Sequence, residues 1–325
     1  MSATVTRGPA AAPPTSNRQP RSPRRKRGLL ANIVHHWADY AYIFPALAVM
    51  TLVIGYPIVY TIWLSFHETQ RRTGVNIWNG GANYGDILSD DRFWHTTQNT
   101  FIWTIGSTGG AFILGFAAAL VLHKQFIGRG VVRAILLIPY VISAVAAAYV
   151  WKWMLHSDYG LVNGMLKDWG IITENLILLD SKDRVLPTVI VVNIWKEFSF
   201  VMIMMIAGLQ TVPEGLLRAA KVDGAGVWQS FIHITVPHLK SVILITTLLL
   251  FVANLNSFTL VFLMTGGGPA NASQLWITEI YNIAFRSLGY GLASTYSVIL
   301  FIVMMAAGWY YVRVLTQGNA KRSAA

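Results

Sequence analysis

Residues 212–240 read VPEGLLRAAKVDGAGVWQSFIHITVPHLK, a mostly polar island between two apolar runs that are each long enough to cross a bilayer. Such an island has to sit in water while its flanks do not. Thr211 followed by Glu214 is the pattern of a capping box, in which the threonine oxygen and the glutamate each satisfy an orphan backbone N–H of a first helical turn. A helix is predicted from there, with Leu216, Ala219 and Ala220 on one face and the Asp223-Gly224 pair ending it in a left-handed turn. Phe231, Ile234 and Pro237 predict a second short helix leading back into the membrane. A short exposed helix with an alanine face suits a groove on a soluble partner, because small side chains let another surface come close. An amphipathic helix lying on the bilayer is the other reading of the same pattern.

The chain around the island is 54% hydrophobic and 12% charged over 325 residues, the composition of a membrane protein. Six windows could span: Tyr40–Phe66, Asn99–His123, Val132–Leu155, Leu186–Leu209, Val242–Met264 and Leu292–Val314. Each meets the roughly 20 residues that a helix needs to cross hydrocarbon. The expected fold class is therefore all-α, a membrane protein with six transmembrane helices, since strands alternating between lumen and lipid are missing. Residues 1–39 are expected to form a disordered basic tail, ending in an interfacial helix through Leu30, Ile33, Val34 and Trp37. Residues 40–315 form the membrane domain, with the polar segment at 211–240, and 316–325 a second tail. There are no cysteines, so neither a disulfide framework nor a thiol catalyst is available.

Orientation follows from the basic residues. Of the 25 Lys and Arg, 16 fall in the two tails, the Lys124–Arg133 turn and the Gln210–Ser241 segment, against 7 in the other three connections. That asymmetry places both termini and the 211–240 segment of this multi-pass membrane protein in the cytoplasm. The net charge of +11 is then an orientation signal with attraction to anionic membrane lipid, and no nucleic acid is expected as a partner.

The fourth window holds Asn193, Lys196 and Glu197 near its middle, where an uncompensated charge costs at least about 2.5 kcal/mol. Successive residues lie about 100° apart on a helix, so Lys196 and Glu197 are poor partners for each other. Asn193, Glu197 and Phe200 form one stripe of polar edges and an aromatic face, which is what a hydroxyl-rich ligand needs. The fifth window adds Asn254 and Ser257 on one face. An interhelical clamp, with Asn193 and Glu197 bonded to neighbouring helices, accounts for the same stripe. In the second window Gly106, Gly109, Gly110 and Gly115 are read as packing residues that let helices approach closely.

Pro213-Glu214, Ala219-Ala220, Asp223-Gly224-Ala225, Trp228-Gln229, Phe231, Ile234-Thr235, Pro237 and Leu239 resemble, in order and spacing, the cytoplasmic coupling motif of the membrane subunits of carbohydrate-type bacterial ABC importers. Asn83-Tyr84, Asp91, Phe93-Trp94, Asn99-Thr100, the Phe126–Gly130 turn, Gly160–Asn163, Leu178–Asp180 and the Thr265–Pro269 glycine turn are similar to the same family, so the likeness covers Tyr40 to Val314. Two positions depart from the pattern: Arg218 stands where a glutamate is usual, and Ser241 where a second proline is usual. The resemblance implies a permease subunit moving a sugar or related polyhydroxy solute by alternating access. Its implied partners are a second homologous permease, two ATP-binding subunits and an extracytoplasmic solute-binding protein. ATP and Mg are implied on the ATPase and no cofactor on this chain. It further implies coupling through Glu214, Arg218, Ala219, Ala220, Asp223 and Gly224, and substrate contact at Asn193, Glu197, Phe200, Asn254 and Ser257.

Other chemistries lack their residues. No G-x-x-x-x-G-K-[ST] phosphate loop occurs, and the eight histidines form no close ligand set. There is no G-x-S-x-G nucleophile motif, and Glu197 has no second carboxylate in any window, so an enzyme is not expected. A secondary transporter or channel independent of ATP is the competing reading.

Overall fold

The structure, a computed structural model, describes residues 37–70 and 73–323, with side-chain surroundings for 41–70 and 73–314. The expected basic tail, the interfacial-helix residues Leu30, Ile33 and Val34, and the side chains of the 316–325 tail lie outside the described residues. The chain divides into two units, Met1–Pro57 and Ile58–Ala325. In the first, helix α1 (Trp37–Met50) passes into a π turn (Thr51–Gly55), and helix α2 (Tyr56–Leu64) begins, all but its first two residues belonging to the second. The second contains a two-stranded antiparallel hairpin of β1 (His67–Thr69) and β2 (Asn76–Trp78), then α3 (Ala82–Ser89), α4 (Asp91–His123), α5 (Arg129–Val141), α6 (Ala144–Met154), α7 (Leu161–Asp168) and α8 (Val185–Leu209). Helices α9 (Glu214–Val222), α10 (Val227–Ser230), α11 (Val236–Leu255), α12 (Thr259–Thr265), α13 (Trp276–Tyr281) and α14 (Tyr290–Ser323) complete it.

Among the described residues, five helical segments are long and apolar enough to cross a membrane, or six if the bent pair α5–α6 is one span. Two of the expected windows differ in form. The third is not straight: α5 and α6 meet at 95°, because Pro139 removes a donor near the end of α5 and Ile142 and Ser143 adopt extended backbone before α6 starts. The fifth window breaks at Leu255 instead of running to Met264, and α12 begins again at Thr259. At its other end the helix starts at Val227, so the expected second short helix and the fifth span are one continuous segment, Val227–Leu255. A π turn (Phe231–Thr235) joins them. Both this turn and Thr51–Gly55 sit two residues before a proline, Pro237 and Pro57. Proline has no N–H for the usual i→i−4 bond, and the residue ahead of it bonds five back instead, Val236 to Phe231 and Tyr56 to Thr51.

The centre of the second unit is the pair α4 and α8, which run parallel. Gly106 lies against Ile190, Gly110 against Ile194, and Gly115 against the backbone carbonyl of Phe198, so the small residues face the partner helix at successive turns. Helix α11 runs antiparallel to both, with Leu239 over Gly208 at one end and Asn254 beside Asn193 at the other. Trp103, Val189, Val192 and Met264 are buried in one apolar cluster, and Val201, Met202, Met205 and Leu239 in a second.

The polar residues between the first two windows act as joinery. Asn83 donates to the carbonyls of Ser65 and His67, both at 3.0 Å. Thr295 on α14 donates to Ser65 O at 3.1 Å, and Thr100 accepts from the backbone N–H of Trp276 at 3.0 Å. Asn163 is buried and bridges Ser157 O, Leu176 O and Leu176 N. Each of these polar side chains is matched by a bond where it is buried, as the cost of an unpaired polar group requires.

Candidate functional site

Helix α9 buries no residue. Its start differs from the capping box expected at Thr211. The N-cap is Pro213, which puts Glu214 at the first helical position instead of the third, and the Thr211 hydroxyl donates backwards to Gly208 O at 2.7 Å, closing the end of α8. Glu214 pairs with Arg218 one turn on, at 3.2 Å, with both side chains exposed. An exposed i,i+4 pair of this kind contributes about 0.3–0.5 kcal/mol. Arg218, the departure from the family pattern, therefore has an acidic partner on its own helix.

The far end of α9 is built as the Asp-Gly pair predicts. Gly224 has φ +82°, its N–H donates to Lys221 O at 3.3 Å, and Ala225 N donates to Ala220 O at 2.9 Å. These are the two bonds of a Schellman motif, which needs a residue without a Cβ at the left-handed position. Gly226 N then donates to Gln229 Oε1 at 2.9 Å, opening α10. Trp228 stacks on Phe231 at 5.5 Å, and Phe231 lies 5.8 Å from Phe116 of α4. A rigid elbow thus links an uncovered helix to α4 and to the continuous Val227–Leu255 segment. Its outer surface presents Leu216, Val222, Val227 and Trp228, 52%, 88%, 91% and 70% exposed.

Within the bundle, Asn193, Glu197 and Asn254 come together. Asn193 Nδ2 donates to Asn254 Oδ1 at 2.7 Å, and Asn254 Nδ2 donates to Glu197 Oε2 at 2.9 Å and Thr108 Oγ1 at 3.2 Å. The indole of fully buried Trp103 donates to Asn254 O at 3.1 Å, close to where α11 ends and its carbonyls run out of helical partners. In this conformation Asn254 of α11 bonds both residues of α8, and Thr108 and Trp103 of α4 bond to it. Two expected members stand apart. Phe200 stacks on Tyr140 of α5 at 5.8 Å, and Ser257 lies beyond the end of α11, its N–H bonded to Asn254 O at 3.1 Å. Trp103 and Thr108 carry no sequence signal for this site, since only the packing of α4 on α11 brings them to it. Among the described residues no ion pair joins Lys196 to Glu197, and no cluster of acidic and histidine side chains fits a metal ion.

Long apolar helices around a buried polar centre, with an uncovered elbow between two of them, define a multi-span helical permease. The family described as "Binding-protein-dependent transport system inner membrane component" matches residues 111–316. A trehalose/maltose transport system permease protein of Thermococcus litoralis is 33% identical over 278 residues, covering 85% of this chain and 92% of that protein. A sulfoquinovosyl glycerol transport system permease protein of Agrobacterium fabrum is 33% identical over 274 residues, 83% of this chain and 88% of that one. The crystal structure of a bacterial ABC transporter involved in the import of the acidic polysaccharide alginate contains a chain that shares the fold, with TM-score 0.73 and 23% identity over 88% of this chain and 99% of that chain. The chain belongs to the binding-protein-dependent inner membrane component family, as a permease component of the carbohydrate ABC importers.

Proposed function

We propose that this chain is one of two homologous permease subunits of an ATP-driven importer for a sugar or related polyhydroxy solute, with both termini in the cytoplasm. Two ATP-binding subunits, which hold ATP and Mg, take α9 into a cleft, and an extracytoplasmic solute-binding protein delivers the solute to the other face. The observation that carries this reading is the elbow at α9. Nine residues are too few to be stable as an isolated helix, and α9 buries nothing of its own while presenting Leu216, Val222 and Val227 outward. A docked partner supplies the missing burial. An exchangeable polar centre supports the rest: solute hydroxyls can replace the bonds among Asn193, Glu197 and Asn254, with Phe200 and Ser257 reached as the helices move in alternating access.

The test is Gly224→Val in the assembled importer. A β-branched residue at φ +82° is strained by about 1–2 kcal/mol, so the elbow should distort while the protein stays in the membrane. Expected is ATP hydrolysis that no longer drives uptake. Unchanged uptake removes the coupling role of the turn, and uptake persisting in ATP-depleted, energised vesicles favours a secondary transporter.

A further inference from the structure

At the end of the bundle away from α9, a cavity of about 300 Å³ opens between the end of α6, the Leu178–Asp180 connection and the glycine turn after α12. None of the groups that couple or form the polar centre lines it. Lys152, in the last turn of α6, is a charge that neither role uses, and an ionisable residue in a spanning segment calls for a function. Its Nζ donates to Leu263 O at 3.2 Å, which holds the ammonium at the cavity wall and leaves it two further donors. His156 accepts from Asp158 N at its Nδ1 at 3.2 Å, so the neutral ring carries its proton on Nε2, and its face is stacked on Tyr159 at 3.7 Å. Asp180 adds acceptors, and Leu155, Leu178 and Met264 give an apolar wall.

Fixed donors, a carboxylate acceptor and an apolar wall answer the hydroxyl groups and C–H faces of a sugar ring, and the volume is at the low end of what small-molecule sites use. The charges of Lys152 and Asp180 cancel, so the cavity suits a neutral ring better than an anion. We propose that it is an outer solute subsite, taking one neutral sugar ring through Lys152, His156 and Asp180 before the solute reaches Asn193 and Asn254. The proposal rests on the transport reading above.

The chain has no cysteine, so Ser157→Cys places its sole thiol in the cavity wall. The experiment measures maleimide labelling of that thiol in the importer assembled in nanodiscs with cysteine-free partners, using trehalose, maltose and glucose as probes, beside ATP-dependent uptake of the same sugars in vesicles. Expected is slower labelling with each sugar that is taken up, and a half-protecting concentration about tenfold higher when Asp180→Asn is added, because a bond to a charged group is lost. Asp180 is exposed, so that change leaves the packing intact. Uptake of a sugar that leaves the thiol unprotected overturns the subsite and leaves the transport reading standing. Absence of any ATP-dependent sugar uptake overturns both.

Discussion

Asn254 is where the polar groups of the bundle centre converge. It bonds Asn193, Glu197 and Thr108, and its carbonyl takes the Trp103 indole. Asn254→Leu strands Asn193 and Glu197 together, and a buried polar group left unpaired costs about 1–3 kcal/mol. The variant should still assemble, melt earlier in detergent, and transport less; Asn193→Leu, which strands one amide oxygen, should melt closer to the unchanged protein. Equal melting for both variants and the parent would mean that these bonds do not clamp the helices. Residue types were enough to single out Asn193, Glu197 and Asn254, because polar groups in an apolar window must find partners. Ser257 and Phe200 stand apart from that trio in this conformation for a reason that no local pattern carries: α11 stops at Leu255, and Phe200 stacks on Tyr140.

The α4–α8 contact sets the scale of elements. A Cβ on Gly115 would overlap the Phe198 carbonyl, whereas one on Gly109 would meet nothing within 4 Å. Gly115→Val should therefore destabilise the protein by about 1–3 kcal/mol through overpacking, and Gly109→Ala should be neutral or slightly stabilising. Thermal unfolding of the two variants distinguishes them, and similar losses in both would remove the close approach of these helices as a determinant of the fold. The misreading of Thr211 belongs at this scale too. Thr-x-x-Glu fits a capping box on paper, but Pro213 fixes the N-cap two residues later and leaves the threonine to finish the preceding helix. The 95° bend between α5 and α6 was equally hidden, since Pro139 in an apolar window is compatible with a kinked span as well as a broken one.

As a whole molecule, the chain leaves the surface of its elbow bare. Leu216, Val222, Val227 and Trp228 are all exposed there, and apolar side chains left uncovered on an elbow are what the proposed docking would cover. Binding of the proposed ATP-binding subunits should stabilise the folded chain by about 2.7 kcal/mol at a hundredfold excess over the Kd, visible as a rise in Tm. Val222→Asp with Val227→Asp should leave the Tm of the isolated chain unchanged, because both side chains are almost fully exposed, and abolish the rise. A rise that survives the double change would place the contact elsewhere.

By itself the sequence determined the class of this protein: apolar windows of spanning length, a polar island between two of them, a glycine where a left-handed turn ends a helix, and an excess of basic residues in the tails and alternate connections. Each is a property of composition or of near neighbours along the chain. Only the tertiary structure decided where the third and fifth windows break, that Trp103 and Thr108 meet Asn254, and that Lys152 stands at the wall of a cavity at the end of the bundle away from α9. Those contacts join residues as far apart as 103 and 254, and their partners are chosen by how whole helices pack.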